Sequence, residues 1–407
     1  MYHNRRAFIN LMGSLVPGVF LKAPVNGLLS GQDPLLSVEG ITVYLVNVDK
    51  PRNFSHSTWN NRQHLFFQVQ VGQHKGWSEV LANKNDPGFD FVKWAEYLKA
   101  LKGMPVMKAI DYCREQVLTG EWDHRKAEPA LMALYDIMGK AVNKPTIEIW
   151  GLSGRNPVPA AFCILENEVD QALAQAAIAR EQGLTHFVKL KLFGIPDTDQ
   201  SLVTALRKYF GHETFLMADA NRGYKNWKDL DELSLHMHAL RKAGLNAIED
   251  PADLSKEQWI ELQKKIGDLA LIPDYPMRPA FISIDQFDPA MGTYFNIHPD
   301  TMGTFREVIA LGKKIREDQR GLMIGDSSFI GPACTCWQQL AIGLGASWVE
   351  AIEKPQESDI FQQCVQRSTT AINKKGLVEI KVLNPGFGLV MDEEKLRSKA
   401  DRFAKLV

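Results

Sequence analysis

Apolar and polar positions change rhythm twice along the chain. From 36 to about 80 they alternate, as in "SVEGITVYLVNVD", "HLFFQVQVG" and "KGWSEVL", and a two-residue period predicts a β-meander. Residues 90–145 read as helices. In "EPALMALYDIMGKA", Ala130, Leu134, Ile137 and Ala141 recur at helical spacing and form one stripe. From about 158, short apolar runs appear at "VPAAFCIL", "FVKLKLF", "TFLMADA", "NAIED", "LALIPD", "YFNIH", "GLMIGD" and "SWVEAI". Helical patterns such as "DQALAQAAIAREQG" separate most of them. Strand and helix in alternation, eight times over, predict an α/β fold with a parallel (β/α) barrel after an α+β N-terminal portion. A doubly wound open sheet competes. The chain offers neither GxGxxG after the first of these strands nor GxxxxGK[ST], so nothing points to nucleotide phosphates.

One strand carries an anomaly. "HFVKLKLFG", residues 186–194, is apolar except for Lys189 and Lys191. Residues two apart on a strand share a face, so both ammonium groups point the same way. Lysines are almost never fully buried unless paired. The partners are legible further on: Asp219 and Asn221 end "MADAN", Glu249 ends "IE", Asp274 ends "LIPD", His298 ends "FNIH" and Asp326 ends "MIGD". A single acid after a strand is commonly a helix N-cap. Three on successive strands, beside two lysines, are better read as one site at the C-terminal end of a barrel. Oxygen-only ligands suit a hard cation, Mg²⁺ first. Such a metal, with a second ammonium, would lower a lysine from its usual value of about 10.4 and make it a base. Lys191, nearer the strand end, is the better base, with Lys189 its electrostatic partner.

Composition narrows the rest. With 407 residues, about two domains are expected. A net charge of −1 gives no general pull toward nucleic acid or acidic membranes, and no apolar run after the N-terminus is long enough for a membrane span. Five cysteines are too few, and odd in number, for a disulfide framework; Cys334 and Cys336 read as small buried thiols at the start of a helix. Arg5–Arg6, followed by Phe8 and a moderately apolar stretch, resembles a twin-arginine export signal over residues 1–34, although Pro17 and Lys22 interrupt it. A cytosolic terminus is the alternative.

The chain resembles the enolase superfamily, in its mandelate racemase and muconate lactonizing enzyme branch. "GWSE" at 76–79, "ALYDIMGKAVNKP" at 133–145, "VKLKLFG" at 188–194, "ADAN" at 218–221, "IEDP" at 248–251 and "NPGFG" at 384–388 carry the resemblance. It implies a modified TIM barrel, (β/α)₇β, over 151–377. It also implies an α+β cap made from 35–150 and completed by the tail 378–407. It implies Mg²⁺ held by Asp219, Glu249 and Asp274, proton abstraction by Lys191 next to a substrate carboxylate, and help from Lys189 in neutralising the enediolate. Family members often form even-numbered oligomers.

Departures from the family pattern matter too. Where relatives carry a lysine or an aspartate after strand six, this chain has His298, and after strand seven it has Asp326. That resembles the racemase dyad with its positions exchanged, and His298 is expected to act as acid or base with Asp326 orienting it. At strand five "PDYP" stands where Asp-Glu is usual, with Asp285 and Asp288 as later substitutes. Trp59 and Arg62, in "NFSHSTWNNRQ", are candidates to cover the substrate. The expected substrate is a small carboxylate, a sugar acid or a dipeptide. The expected reaction is racemisation, epimerisation or dehydration, the alternative being a metal- and acid-binding protein without catalysis.

Overall fold

A computed structural model describes residues 36–354 and 357–407; the twin-arginine segment lies outside them. The alternating stretch becomes three antiparallel strands, β1 (Gly40–Val48), β2 (Arg62–Val71) and β3 (His74–Lys84). The last strand of the chain, Arg402–Lys405, pairs antiparallel with β1 and makes the fourth. Helix α1 (Val106–Leu118) packs against α2 (His124–Ala141), and α2 packs against this sheet. The stripe of α2 is buried at Ala130, Leu134 and Ile137. A short hairpin, with Arg52 paired to Trp59, interrupts the path from β1 to β2.

Eight parallel strands follow: β4 (Ala161–Ile164), β5 (Phe187–Lys191), β6 (Phe215–Asp219), β7 (Ala247–Glu249), β8 (Ala270–Ile272), β9 (Tyr294–Ile297), β10 (Gly321–Ile324) and β11 (Trp348–Val349). They form two ladders, β4 to β8 and β9 to β11, each in sequence order. Two backbone bonds tie β8 to the β9 segment, Thr293 N–H to Leu271 O at 3.1 Å and Asn296 N–H to Pro273 O at 3.0 Å. A parallel bridge joins Ala160, before β4, to Val349 at the end of β11. Between the strands run long helices, among them α3 (Val169–Glu181), α4 (Pro196–Phe210), α5 (Leu230–Ala243), α6 (Lys256–Ile266), α7 (Phe305–Glu317) and α8 (Pro332–Leu344).

All eight strands feed one apolar cluster. It comprises Ala161, Met217, Ala247, Ala270, Ile272, Met323 and Trp348, with Phe187, Phe215 and Tyr294 against it. A parallel sheet needs both faces covered, which is why these strands read as near-continuous apolar runs. The larger core lies outside this cluster, where helices meet strands. Cys334 and Cys336 are buried in α8, as expected of structural thiols. Among the described residues no helix is long and apolar enough to cross a membrane.

Candidate active site

Register builds the site. Lys191 pairs with Asp219, and Asp219 with Glu249, so three polar side chains stand in one row across β5, β6 and β7. Neighbouring strands are about 4.8 Å apart, close enough for these groups to meet. One pleat below, Lys189 pairs with Met217 and Met217 with Ala247, so apolar side chains floor the polar row. Asp274 stands two residues past β8.

Tight turns hold the row in place. Asn221, at φ +45°, donates its N–H to Asp219 Oδ1 at 2.8 Å, and its Oδ1 accepts from Lys191 Nζ at 3.0 Å. The loops after β5 and β6 touch so closely that a Cβ on Gly194 would lie 2.1 Å from Gly223 O, and Gly194 has φ +73°. Asp250, buried beside Glu249, accepts from the N–H groups of Asp274 (3.1 Å) and Tyr275 (3.1 Å), and so fixes the chain at Asp274.

Each carboxylate meets a cation. Lys191 Nζ bonds Asp219 Oδ2. Lys189 Nζ lies 3.1 Å from Glu249 Oε2 and 2.6 Å from Glu350 Oε2. The Arg278 fork grips Asp274, with Nε donating to Oδ1 at 2.8 Å and Nη2 to Oδ2. Burial alone would lower Lys189, but Glu249 and Glu350 outweigh it and hold the ammonium well above its usual value. Burial would raise Asp219, but Lys191 and Lys189 pull it down to about 2. Four carboxylates (Asp219, Glu249, Asp274, Glu350) face three cations, and burial with the Asp219 charge pushes Glu249 well up.

These groups, with the exception of the fully buried Glu249, open onto a cavity of about 1750 Å³. Lys189, Lys191, Asp219, Asn221, Asp274, His298 and Asp326 all line it. So do Phe54 and Trp59 of the hairpin, with Lys191 Nζ 5.2 Å above the Phe54 ring. Arg62 is not a cover: it is fully buried, 2.9 Å from Glu357, while Arg52 takes the cavity wall and bonds Ser328 and Glu357. Asp285 and Asp288 are not among the lining residues; Asp288 caps Ala290 and pairs with Lys256.

The structure does not join His298 to Asp326. His298 Nδ1 lies 2.8 Å from Pro299 O, while Asp326 pairs with Lys354 at 3.1 Å and caps Ser328 and Phe329. A carbonyl oxygen can only accept, so Nδ1 carries the hydrogen. Burial, with help from Arg278, pushes His298 down to about 4, so the ring is neutral near pH 7 and its Nε2 is a bare lone pair. Sequence reasoning also missed Arg278, Glu350 and Asp250. "IEDP" contained Asp250 and "SWVEAI" contained Glu350 in plain view, the latter directly after its strand, but nothing in the pattern marked Arg278.

The donor set suits Mg²⁺ in kind, being three carboxylates on rigid strand ends. The geometry suits it less: among the described residues no group of three His, Cys, Asp or Glu stands ready to hold a metal, and Asp274 is already engaged by Arg278.

Comparison with known proteins gives this arrangement a lineage. The Enolase C-terminal domain-like family matches residues 171–274, the stretch that runs from α3 through Lys189, Lys191, Asp219 and Glu249 to Asp274. Over that stretch the chain is similar to the enolase superfamily, and the relatives below place the similarity in the branch of mandelate racemase and muconate lactonizing enzyme. An L-Ala-D/L-Glu epimerase of Bacteroides thetaiotaomicron is 29% identical over 140 residues, 33% of this chain and 34% of that protein. Muconate cycloisomerase 1 of Acinetobacter baylyi is 27% identical over 143 residues, 35% of this chain and 38% of that protein. The matched stretch thus spans little more than a third of these relatives. In fold, a dipeptide epimerase from Cytophaga hutchinsonii, solved with Mg and the dipeptide D-Ala-L-Val, superposes with a TM-score of 0.76 at 15% identity, covering 91% of this chain and 100% of that one. Within the superfamily the polar row is therefore the place to look for chemistry.

Proposed function

We propose that this chain is a racemase or epimerase that moves a proton on the carbon next to a substrate carboxylate. We read the eight strands as a (β/α)₇β barrel over 151–377, with 35–150 and 378–407 as its cap. The bonds across the β8–β9 seam, the Ala160–Val349 bridge and the shared apolar cluster support that reading. One observation carries the function. Two groups able to accept a proton face the same cavity from strands four apart, Lys191 on β5 and His298 after β9. In a closed barrel of eight they stand across from one another.

The steps follow from the side chains. Lys191 Nζ, in its neutral form, removes the proton from one face, and Asn221 Oδ1 fixes where that nitrogen sits. His298 Nε2 serves the other face. Lys189, held cationic by Glu249 and Glu350, sets positive charge near the substrate carboxylate as it gains electrons. Asp219, Glu249 and Asp274 would hold Mg²⁺, which supplies further positive charge to the same carboxylate. When His298 acts first its bare Nε2 takes the proton and Lys191 returns one; when Lys191 acts first His298 must enter protonated and give its Nε2 proton to the opposite face, so the likeness to epimerases, not the state of His298, favours epimerisation over dehydration. The dipeptide bound to the Cytophaga hutchinsonii enzyme makes dipeptides the first substrate class to try, and sugar acids the second.

The test is exchange in D₂O with Mg²⁺ across pools of dipeptides and sugar acids, read by mass. Deuterium should enter one position without loss of water, and Lys191→Ala should abolish exchange of one stereoisomer. His298→Gln should spare that stereoisomer and abolish exchange of its mirror partner. Elimination of water would sink the isomerase reading. Silence across both pools would favour a non-catalytic acid-binding protein.

A further inference from the structure

We propose that Arg278 competes with the metal for Asp274, so that the three carboxylates take up a divalent cation only when the guanidinium lets go. The inference rests on the reading of Asp219, Glu249 and Asp274 as one metal set. The contact is a bidentate fork, Nε to Oδ1 at 2.8 Å and Nη2 to Oδ2, and it meets both oxygens of Asp274 along one edge of the carboxylate. Mg²⁺ binds carboxylate oxygen at about 2.0–2.1 Å with near-ideal octahedral demands. It cannot approach that edge while the fork is on it. The backbone that carries Asp274 is tied down. Asp250 clamps the N–H groups of Asp274 and Tyr275, and Asp274 is buried.

Arg278, by contrast, has somewhere to go. Its side chain keeps 19% of its surface exposed, lines the cavity, and lies with its Cζ 5.3 Å from the centre of the Tyr275 ring. Side-chain rotation alone would carry the fork off Asp274 into the cavity. Charge argues the same way. Lys189, Lys191 and Arg278 already neutralise three of the four carboxylates, so adding two positive charges favours expulsion of the cation held by the fewest residues. Lys189 is anchored by two acids and Lys191 is held by both Asp219 and Asn221, which leaves Arg278. Occupancy of the fork therefore subtracts from metal affinity by the fraction of time Asp274 is free.

The experiment is calorimetric titration of Mg²⁺, and of Mn²⁺ followed by electron paramagnetic resonance, into the full chain without substrate. Arg278→Gln should tighten binding by about tenfold or more. Arg278→Lys keeps the charge and loses the fork, and should tighten it several-fold. Asp274→Asn should erase the gain in the Arg278→Gln background. Thermal melts confirm that each variant folds, and if Arg278→Gln does not, Arg278→Lys carries the test. Unchanged affinity in both Arg278 variants, with tight binding by the wild type, would overturn the competition alone. A gain in Arg278→Gln but none in Arg278→Lys would also overturn it, because charge and not capture would then be the cause. Absence of binding in every form would overturn both the competition and the metal set.

Discussion

Arg62 is the residue whose role the fold changed most. In sequence it sat in a polar loop beside Trp59, an ordinary place for a substrate contact. In the structure it is the inner half of a clasp in which Arg52 and Arg62 both hold Glu357, at 2.7 and 2.9 Å. Burial would raise Glu357, but the two guanidinium groups outweigh it and hold the carboxyl at about 2, against an ordinary 4.5. A folded-state value below the unfolded one adds stability that is complete above about pH 4.5 and is lost as pH falls toward 2. By the size of the shift it is worth about 3 kcal/mol. Glu357→Gln should therefore be less stable than the wild type at pH 7, and the gap should close between pH 4.5 and 2 in denaturant titrations. A gap that stays constant with pH would show that the clasp acts through shape alone. The lysine pair and the acids after successive strands were legible because each broke an apolar run. Arg278 was not, because an arginine four residues after an aspartate looks like any exposed helical pair until burial is known.

At the scale of elements, the short motifs that signalled the family turn out to be joints. Asp136, in "ALYDIMGKA", accepts the Trp77 N–H of "GWSE" at 3.0 Å and the Phe387 N–H of "NPGFG" at 2.8 Å, and pairs with Lys140 at 2.7 Å. Three segments far apart in sequence thus close on one buried carboxylate. Glu79, from the same "GWSE", accepts from Ile330 and Gly331 N–H at 2.8 Å and so ties β3 to the start of α8. Removing a buried partner strands the others, so Asp136→Ala should cost about 3–5 kcal/mol in chemical denaturation. Deuterium exchange per folded molecule should be kept. A loss under 1 kcal/mol would mean that water replaces the carboxylate. The parallel strands were easy to find because burial on both faces makes apolar runs. The Arg52–Trp59 hairpin was read as loop, since two-residue strands leave no periodicity to detect. The run "VPAAFCIL" also splits: Val158–Pro159 pairs antiparallel with Leu377–Val378, and only Ala161 onward joins the parallel ladder.

For the molecule as a whole, strand order followed from counting alternations, while the pairing of the first described strand with the last did not. Val407 O accepts the Ile41 N–H at 3.4 Å, and Thr42 stands opposite Lys405. The terminal strand and the first described strand are neighbours in one sheet, although the whole parallel array lies between them along the chain. A few glycines and serines could join them, and new ends could be cut at an exposed turn such as His212–Glu213. Such a circular permutant, lacking residues 1–35, should melt within a few degrees of a linear chain with the same truncation. Viewed this way the stretch from 40 to 405 is nearly a ring, and the order in which a ribosome meets its pieces is a convention of the gene more than a requirement of the fold.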